Sequence, residues 1–219
     1  MSQPGTGLFL PGFAARAHAY TDGLPLGWEV SQPPPPSITR GSLSSLREWA
    51  VREIQRRPRG AVVAGHSMGA ALAVLAAVTV PEHVEGLLLI APAGLPLRKP
   101  VRRSVGDLAR QLATRTYPVA DVASGARELA AAPRAAVRLV RGLRRLDVSA
   151  HMERVRAARI PTLVVGCTTD TLVTPYHSRR VAELLGAEYR ELAIDGGHVW
   201  MFEQPSLLEA ILRGGLTRS

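Results

Sequence analysis

Of 219 residues, only one is cysteine and only one is lysine, and the two absences bear on different questions. With Cys167 alone, no internal disulfide can form, which agrees with a reducing compartment. The near-absence of lysine leaves 26 arginines to carry almost all of the positive charge, as an arginine-biased composition would. No apolar run is long enough to cross a bilayer. The first residues, Met1 to Gly7, carry no basic n-region, and Leu8–Leu10 is too short for a signal-peptide core, so cytoplasm is the expected location. Neither a Gly-x-Gly-x-x-Gly turn nor a phosphate-binding loop is found, so a nucleotide cofactor is unsupported. No histidine pair has metal-ligand spacing, and no metal or other cofactor is expected. Internal repeats are absent.

What is present is a chain of one-domain length, 46% hydrophobic, with a formal charge of +9. The charge is localised. Arg98 to Arg159 holds 15 basic and 5 acidic residues, a net +10, and the remainder sums to −1. One segment therefore carries the whole excess. It is accompanied by no known nucleic-acid module, which ranks nucleic-acid binding lowest among the possible functions.

Short apolar runs alternate with helical patterns. Leu8–Leu10, Trp28–Ser31, Ala61–Ala64, Val84–Ile90, Pro161–Gly166 and Glu188–Ile194 read as strands, the second ended by the stiff run Pro33–Pro36. Ser42–Arg57, Ala70–Val80 and Pro205–Leu212 read as helices. The alternation predicts a parallel α/β sheet of about six strands, with ligands at the strands' carboxyl ends. From about 95 to 159 the spacing is helical instead. Val105, Leu108, Ala109 and Leu112 form one apolar stripe, and Val137, Val140, Leu143 and Leu146 another. Arg134, Arg138, Arg141 and Arg145 lie opposite the second stripe. This segment is expected to cover the carboxyl edge of the sheet as a cap within a single domain spanning 1–219.

The chemistry centres on Gly65-His66-Ser67-Met68-Gly69. With 20 glycines and 13 serines, a Gly-x-Ser-x-Gly pattern arises by chance roughly 0.1 times per chain of this composition, so its surroundings must decide. An apolar strand precedes it and a helix apolar on all sides follows. That is the setting of a nucleophile held on a sharp strand-to-helix turn, with small flanking residues where strand and helix meet. A serine hydroxyl needs a base, and the base an orienting carboxylate. His198, after Gly196-Gly197 and the last strand, fits the base. Asp170, four residues past Gly166, fits the carboxylate. Asp195 reads as a loop-forming residue and His66 as pointing away from the site within the turn. His18, His83, His151 and His177 read as surface or loop histidines, and Cys167 as a packed strand residue.

The chain resembles the α/β-hydrolase superfamily from Leu8 to Leu212, through Phe9-Leu10-Pro11-Gly12-Phe13, the Ser67 pentapeptide, Ile160–Gly166 followed by Asp170, and Gly196-Gly197-His198. The resemblance implies Ser67 as nucleophile, His198 as general base and then acid, and Asp170 as its orienter. It implies an oxyanion hole from the backbone N–H groups of Phe13 and Met68. Relatives often carry His-Gly where this chain has Pro11-Gly12, a tolerable change because the donor is backbone. Relatives usually carry two further strands before the strand that leads to the oxyanion loop, and this chain is expected to lack them. Some relatives place the acid near Ala93-Gly94, where this chain has no carboxylate. Serine at the elbow departs from the aspartate of epoxide hydrolases and haloalkane dehalogenases, and so implies acyl transfer to water.

The expected function is therefore a serine hydrolase of a carboxylic ester or thioester. Two alternatives stay open. One is a non-catalytic binding protein on the same fold. The other is a carrier-protein or CoA thioesterase, or a methyl esterase, whose basic cap holds an anionic substrate. The expected partner is a small-molecule ester or thioester, with no nucleic acid and no membrane span.

Overall fold

The computed structural model describes residues 7–96, 106 and 119–216. Six strands form one sheet, β1 (Gly7–Leu10), β2 (Trp28–Val30), β3 (Ala61–His66), β4 (Val84–Ile90), β5 (Thr162–Cys167) and β6 (Glu188–Leu192). Every pairing is parallel, in the order β2-β1-β3-β4-β5-β6. The inner strands are near-continuous apolar runs because helices cover both faces and neither side meets water. At the outer edge, β2 is only three residues long and is soon followed by Pro33–Pro36. Prolines lack the N–H that another strand would need, which blunts that edge.

Side chains along each strand alternate between two cores, as the two-residue repeat requires. Leu8, Leu10, Val63, Leu87, Leu89 and Val164 point to one face. There they meet helices α2 (Leu43–Gln55), α3 (Met68–Ala77), α6 (Ser149–Ala157) and α7 (Pro175–Leu185). Phe9, Ala64, Leu88, Ile90, Leu163 and Val165 point to the other face, against Trp200, Met201 and the closing helix α8 (Pro205–Gly214). All ten residues of α3 are buried, which is why its sequence shows no polar face.

Between β4 and β5 the chain forms α4 (Val119–Ala131), α5 (Pro133–Arg145) and α6. The Val105–Leu112 stripe lies outside the described residues. Along α5 the buried line is Ala136 and Leu139, whereas Val137 is 48% exposed. The expected apolar stripe is thus rotated. Val140, Leu143 and Leu146 are half-buried, and an apolar residue at the edge of a narrow helix face need not be covered. The run Pro33–Pro36 also does more than end β2, because Pro36 opens the short helix α1 (Pro36–Thr39). Helix α7, capped by the Thr174 side chain, is additional to the helices that the sequence pattern suggests.

The order of connections positions everything that follows. From β1 the chain moves outward to β2, then returns past β1 to β3 and continues the other way. The loops leaving β1 and β3 therefore diverge, and a crevice opens between their carboxyl ends. Leu10 and Gly65 stand opposite one another at its floor. Leu88, fully buried on the central strand β4, reports on this core. Leu88→Ala is expected to lower the free energy of unfolding by about 2–5 kcal/mol, read as a lower urea midpoint.

Candidate active site

At the end of β3 the chain turns on Ser67, whose backbone sits at φ 53° and ψ −112°. This is a strained conformation for a residue with a side chain, typically costing about 1–3 kcal/mol. The turn is held by Ser67 N–H donating to the Ile90 carbonyl at 2.9 Å and Ala93 N–H donating to the Ser67 carbonyl at 3.0 Å. The flanking glycines are required by contact. A Cβ on Gly69 would lie 1.9 Å from the Leu10 carbonyl oxygen, and one on Gly65 would lie 2.5 Å from the Gly69 carbonyl carbon. From Val63 to Ala77 every residue is buried except Ser67. The turn lifts one hydroxyl-bearing residue out of an otherwise sealed strand and helix.

His198 and Asp170 come together as expected. His198 Nδ1 donates to Asp170 Oδ2 at 2.8 Å, and both side chains are almost fully buried. The other carboxylate oxygen, Oδ1, accepts from the N–H groups of Leu172 at 2.8 Å and Val173 at 2.9 Å. Three donors thus fix the carboxylate's orientation. With the proton on Nδ1, the lone pair of the neutral imidazole sits on Nε2. Asp195 is exposed, as befits a loop residue.

His66 corrects the sequence reading. Rather than facing idly away, its ring lies 4.7 Å from that of His198, and its Nε2 is 2.9 Å from the His198 carbonyl oxygen. Its Nδ1 is 2.8 Å from the Tyr20 hydroxyl, which accepts from Gly12 N–H at 3.2 Å. The sequence signals neither Tyr20 nor this contact, because they join residues far apart in the chain. Burial, and then the nearby His198, hold the His66 pKa well below the ordinary histidine value. His177 is also more than a loop histidine. It sits half-buried on α7, and burial lowers its pKa against the opposing pulls of the Asp170 carboxylate and a hydrogen bond to the Pro92 carbonyl.

Met68 heads α3, so its N–H has no acceptor within the helix. Phe13 follows β1, and the next residue, Ala14, is left-handed at φ 59°. Both Phe13 and Met68 line a small cavity of about 30 Å³ with Leu46, Leu129 and Leu139. Helix α4 closes on this turn. A Cβ on Gly125 would lie 2.6 Å from the Ala14 carbonyl oxygen, Arg16 pairs with Glu128, and His18 Nε2 lies 2.7 Å from Asp121 Oδ1. Leu139 of α5 faces the cavity. Arg134, Arg138, Arg141 and Arg145 are exposed along a separate groove on the same helix. At 100° per residue they lie roughly opposite Ala136 and Leu139. Among the described residues, no group of three or more His, Cys, Asp or Glu is arranged to hold a metal, and no helix is long and apolar enough to cross a membrane.

A model of the alpha/beta hydrolase family matches residues 2–211. No curated protein sequence matches the chain. Among solved structures, it is similar to Est816, described as an N-acyl homoserine lactone degrading enzyme, at TM-score 0.76 and 19% identity, covering 97% of this chain and 93% of that one. A hydrolase from Oleispira antarctica aligns at TM-score 0.75 and 14% identity, covering 100% and 93%. The thioesterase domain from the curacin biosynthetic pathway aligns at TM-score 0.61 and 21% identity, covering 96% and 91%. At these identities the likeness is one of fold.

The buried His66 makes stability depend on pH. Its folded-state pKa is depressed from 6.5, so at mildly acidic pH the unfolded chain binds a proton that the folded chain does not. Stability is therefore expected to fall as pH drops below about 6.5. The Tyr20 hydroxyl and the His198 ring face this group. In His66→Gln, the fall in urea midpoint between neutral and mildly acidic pH should be shallower. It should not vanish, since His177 is shifted in the same direction.

Proposed function

The chain belongs to the alpha/beta hydrolase family, and from that premise we propose that it is a serine hydrolase cleaving a carboxylic ester or thioester through an acyl-enzyme on Ser67. The observation that carries the reading is the 2.8 Å His198–Asp170 hydrogen bond, beside a strained serine that alone is uncovered on its turn. In this mechanism Ser67 Oγ attacks the substrate carbonyl while His198 Nε2 takes its proton. The oxygen becomes an oxyanion, met by the N–H groups of Met68 and Phe13, each worth about 3–4 kcal/mol in the transition state. The carbon–oxygen or carbon–sulfur bond then breaks, and His198 returns the proton to the leaving group. Water attacks the acyl-enzyme, gives its proton to His198, and the acid departs as Ser67 is reprotonated. Asp170 acts only through His198. It keeps the ring's proton on Nδ1 and stabilises the imidazolium that forms.

The cavity beside Phe13 and Met68, about 30 Å³ and mostly apolar but with Gln32 and Glu128 in its lining, favours a short acyl group. The 95–159 insertion is read as a cap on a single domain. Helix α4, fastened to the Phe13 turn, supports that reading.

The arginine face of α5 favours one refinement, an anionic substrate such as a CoA or carrier-bound thioester or a diacid monoester. No carboxylate pairs with Arg134, Arg138, Arg141 or Arg145 among the described residues, and Arg138 instead reaches the Arg40 carbonyl at 3.2 Å. Because the face is turned away from the cavity, it would act by steering.

Labelling, steady-state kinetics and a salt titration test these readings. Wild type should be labelled by a fluorophosphonate and Ser67→Ala should not, with kcat/KM on p-nitrophenyl acetate falling by about 10⁴-fold or more. Asp170→Asn should cost about 10³–10⁴-fold. Folded protein without Ser67-dependent labelling would instead support a binding module on this fold. In a salt titration, kcat/KM for an anionic thioester should fall steeply while that for a neutral ester stays level. Parallel salt responses would remove the steering idea and leave the arginines as a solvated face.

A further inference from the structure

Three hydrogen bonds run through the core beneath Ser67, and their directions are fixed by chemistry. A backbone carbonyl can only accept, so His66 Nε2 carries a proton and donates it to His198 O at 2.9 Å. In the neutral ring Nδ1 is then an acceptor, and the Tyr20 hydroxyl donates to it at 2.8 Å. The hydroxyl oxygen in turn accepts from Gly12 N–H at 3.2 Å. Burial, which keeps His66 neutral, keeps this direction in force. Tyr20 and His66 are both buried, and the Tyr20 ring is clamped between Phe9 at 4.7 Å and Phe202 at 4.9 Å. Gly12 is needed for the approach, since a Cβ there would lie 2.8 Å from His66 Nδ1.

The ends of this chain of bonds matter more than its middle. Gly12 precedes Phe13, the proposed oxyanion donor. His66 precedes Ser67. His198 is the proposed base, and it is bound here by its backbone. We infer that Tyr20 and His66 are a positioning pair that holds the oxyanion turn, the serine turn and the histidine loop in mutual register. The inference rests on the serine-hydrolase reading for its catalytic consequence. Neither residue touches the reacting atoms. Each acts by keeping three separately connected loops within the tolerance that acyl transfer demands, where a shift of about 1 Å can cost 10²-fold.

The test joins amide hydrogen exchange to steady-state kinetics on p-nitrophenyl acetate. In Tyr20→Phe, which removes one oxygen atom, exchange at Gly12 and Phe13 should quicken about tenfold or more while the central strands stay protected. Its kcat should fall about ten- to hundredfold with KM little changed. His66→Gln keeps a donor near the Nε2 position, and should lose less kcat than His66→Leu, which keeps none. A purely structural role would lower the urea midpoint of all three variants and leave kcat per folded molecule intact. That result overturns the inference, as does unchanged exchange at Gly12 and Phe13. A wild type with no Ser67-dependent turnover would defeat the hydrolase reading instead, and the exchange measurement would still judge the linkage.

Discussion

One close approach governs this molecule. Helix α3 enters so near the end of β1 that Gly69 has no space for a Cβ against the Leu10 carbonyl. To bring the helix there, the chain must reverse within one residue after β3, and Ser67 absorbs that reversal at a positive φ. The strain is local, but its support is spread widely. It comes from the Ile90 carbonyl, from Ala93 N–H, and from the burial of the entire helix that follows. A looser helix would let the turn relax and withdraw the hydroxyl.

The sheet order turns this local constraint into a site. Because β1 and β3 send their loops apart, the carboxyl end of the sheet opens where Phe13 and Ser67 stand. Loops after β5 and β6 bring Asp170 and His198 to the same end. Four separately connected pieces thus converge, and no covalent proximity holds them. Buried hydrogen bonds take that role. Asp170 is pinned by two N–H groups and the His198 ring, while the Gly12–Tyr20–His66–His198 bonds tie the remaining pieces. In a buried setting these bonds are costly to break, since each loss leaves an unpaired polar group.

Much of this was legible along the chain. The six strands announced themselves because a doubly covered parallel sheet needs unbroken apolar runs, as in Val84–Ile90. The pentapeptide around Ser67 was legible because its glycines answer a local steric demand. Helix α7 was less so, since its apolar positions, Val181, Ala182 and Leu185, are few and interleaved with charge. The apolar stripe on α5 leaves Val137 exposed, because periodicity gives the angle of a face but not how far neighbouring elements cover it. Tyr20 carried no signal at all. A tyrosine near His18, Thr21 and Asp22 in a short 3-10 segment reads as surface until tertiary packing sets it between Phe9 and Phe202.

The fold family, the strand-turn-helix around Ser67 and the order in which serine, aspartate and histidine follow one another can be read along the chain. These depend on residues that are neighbours in the chain or on patterns that short-range sterics and burial impose. Long-range packing sets the rest: that His66 joins Tyr20 to the His198 carbonyl, that Leu139 faces the cavity beside Phe13 and Met68, and that the arginines of α5 turn away from it. Each of those depends on which distant segments meet and at what angle. That is set by the packing of the whole chain, and no local pattern records it.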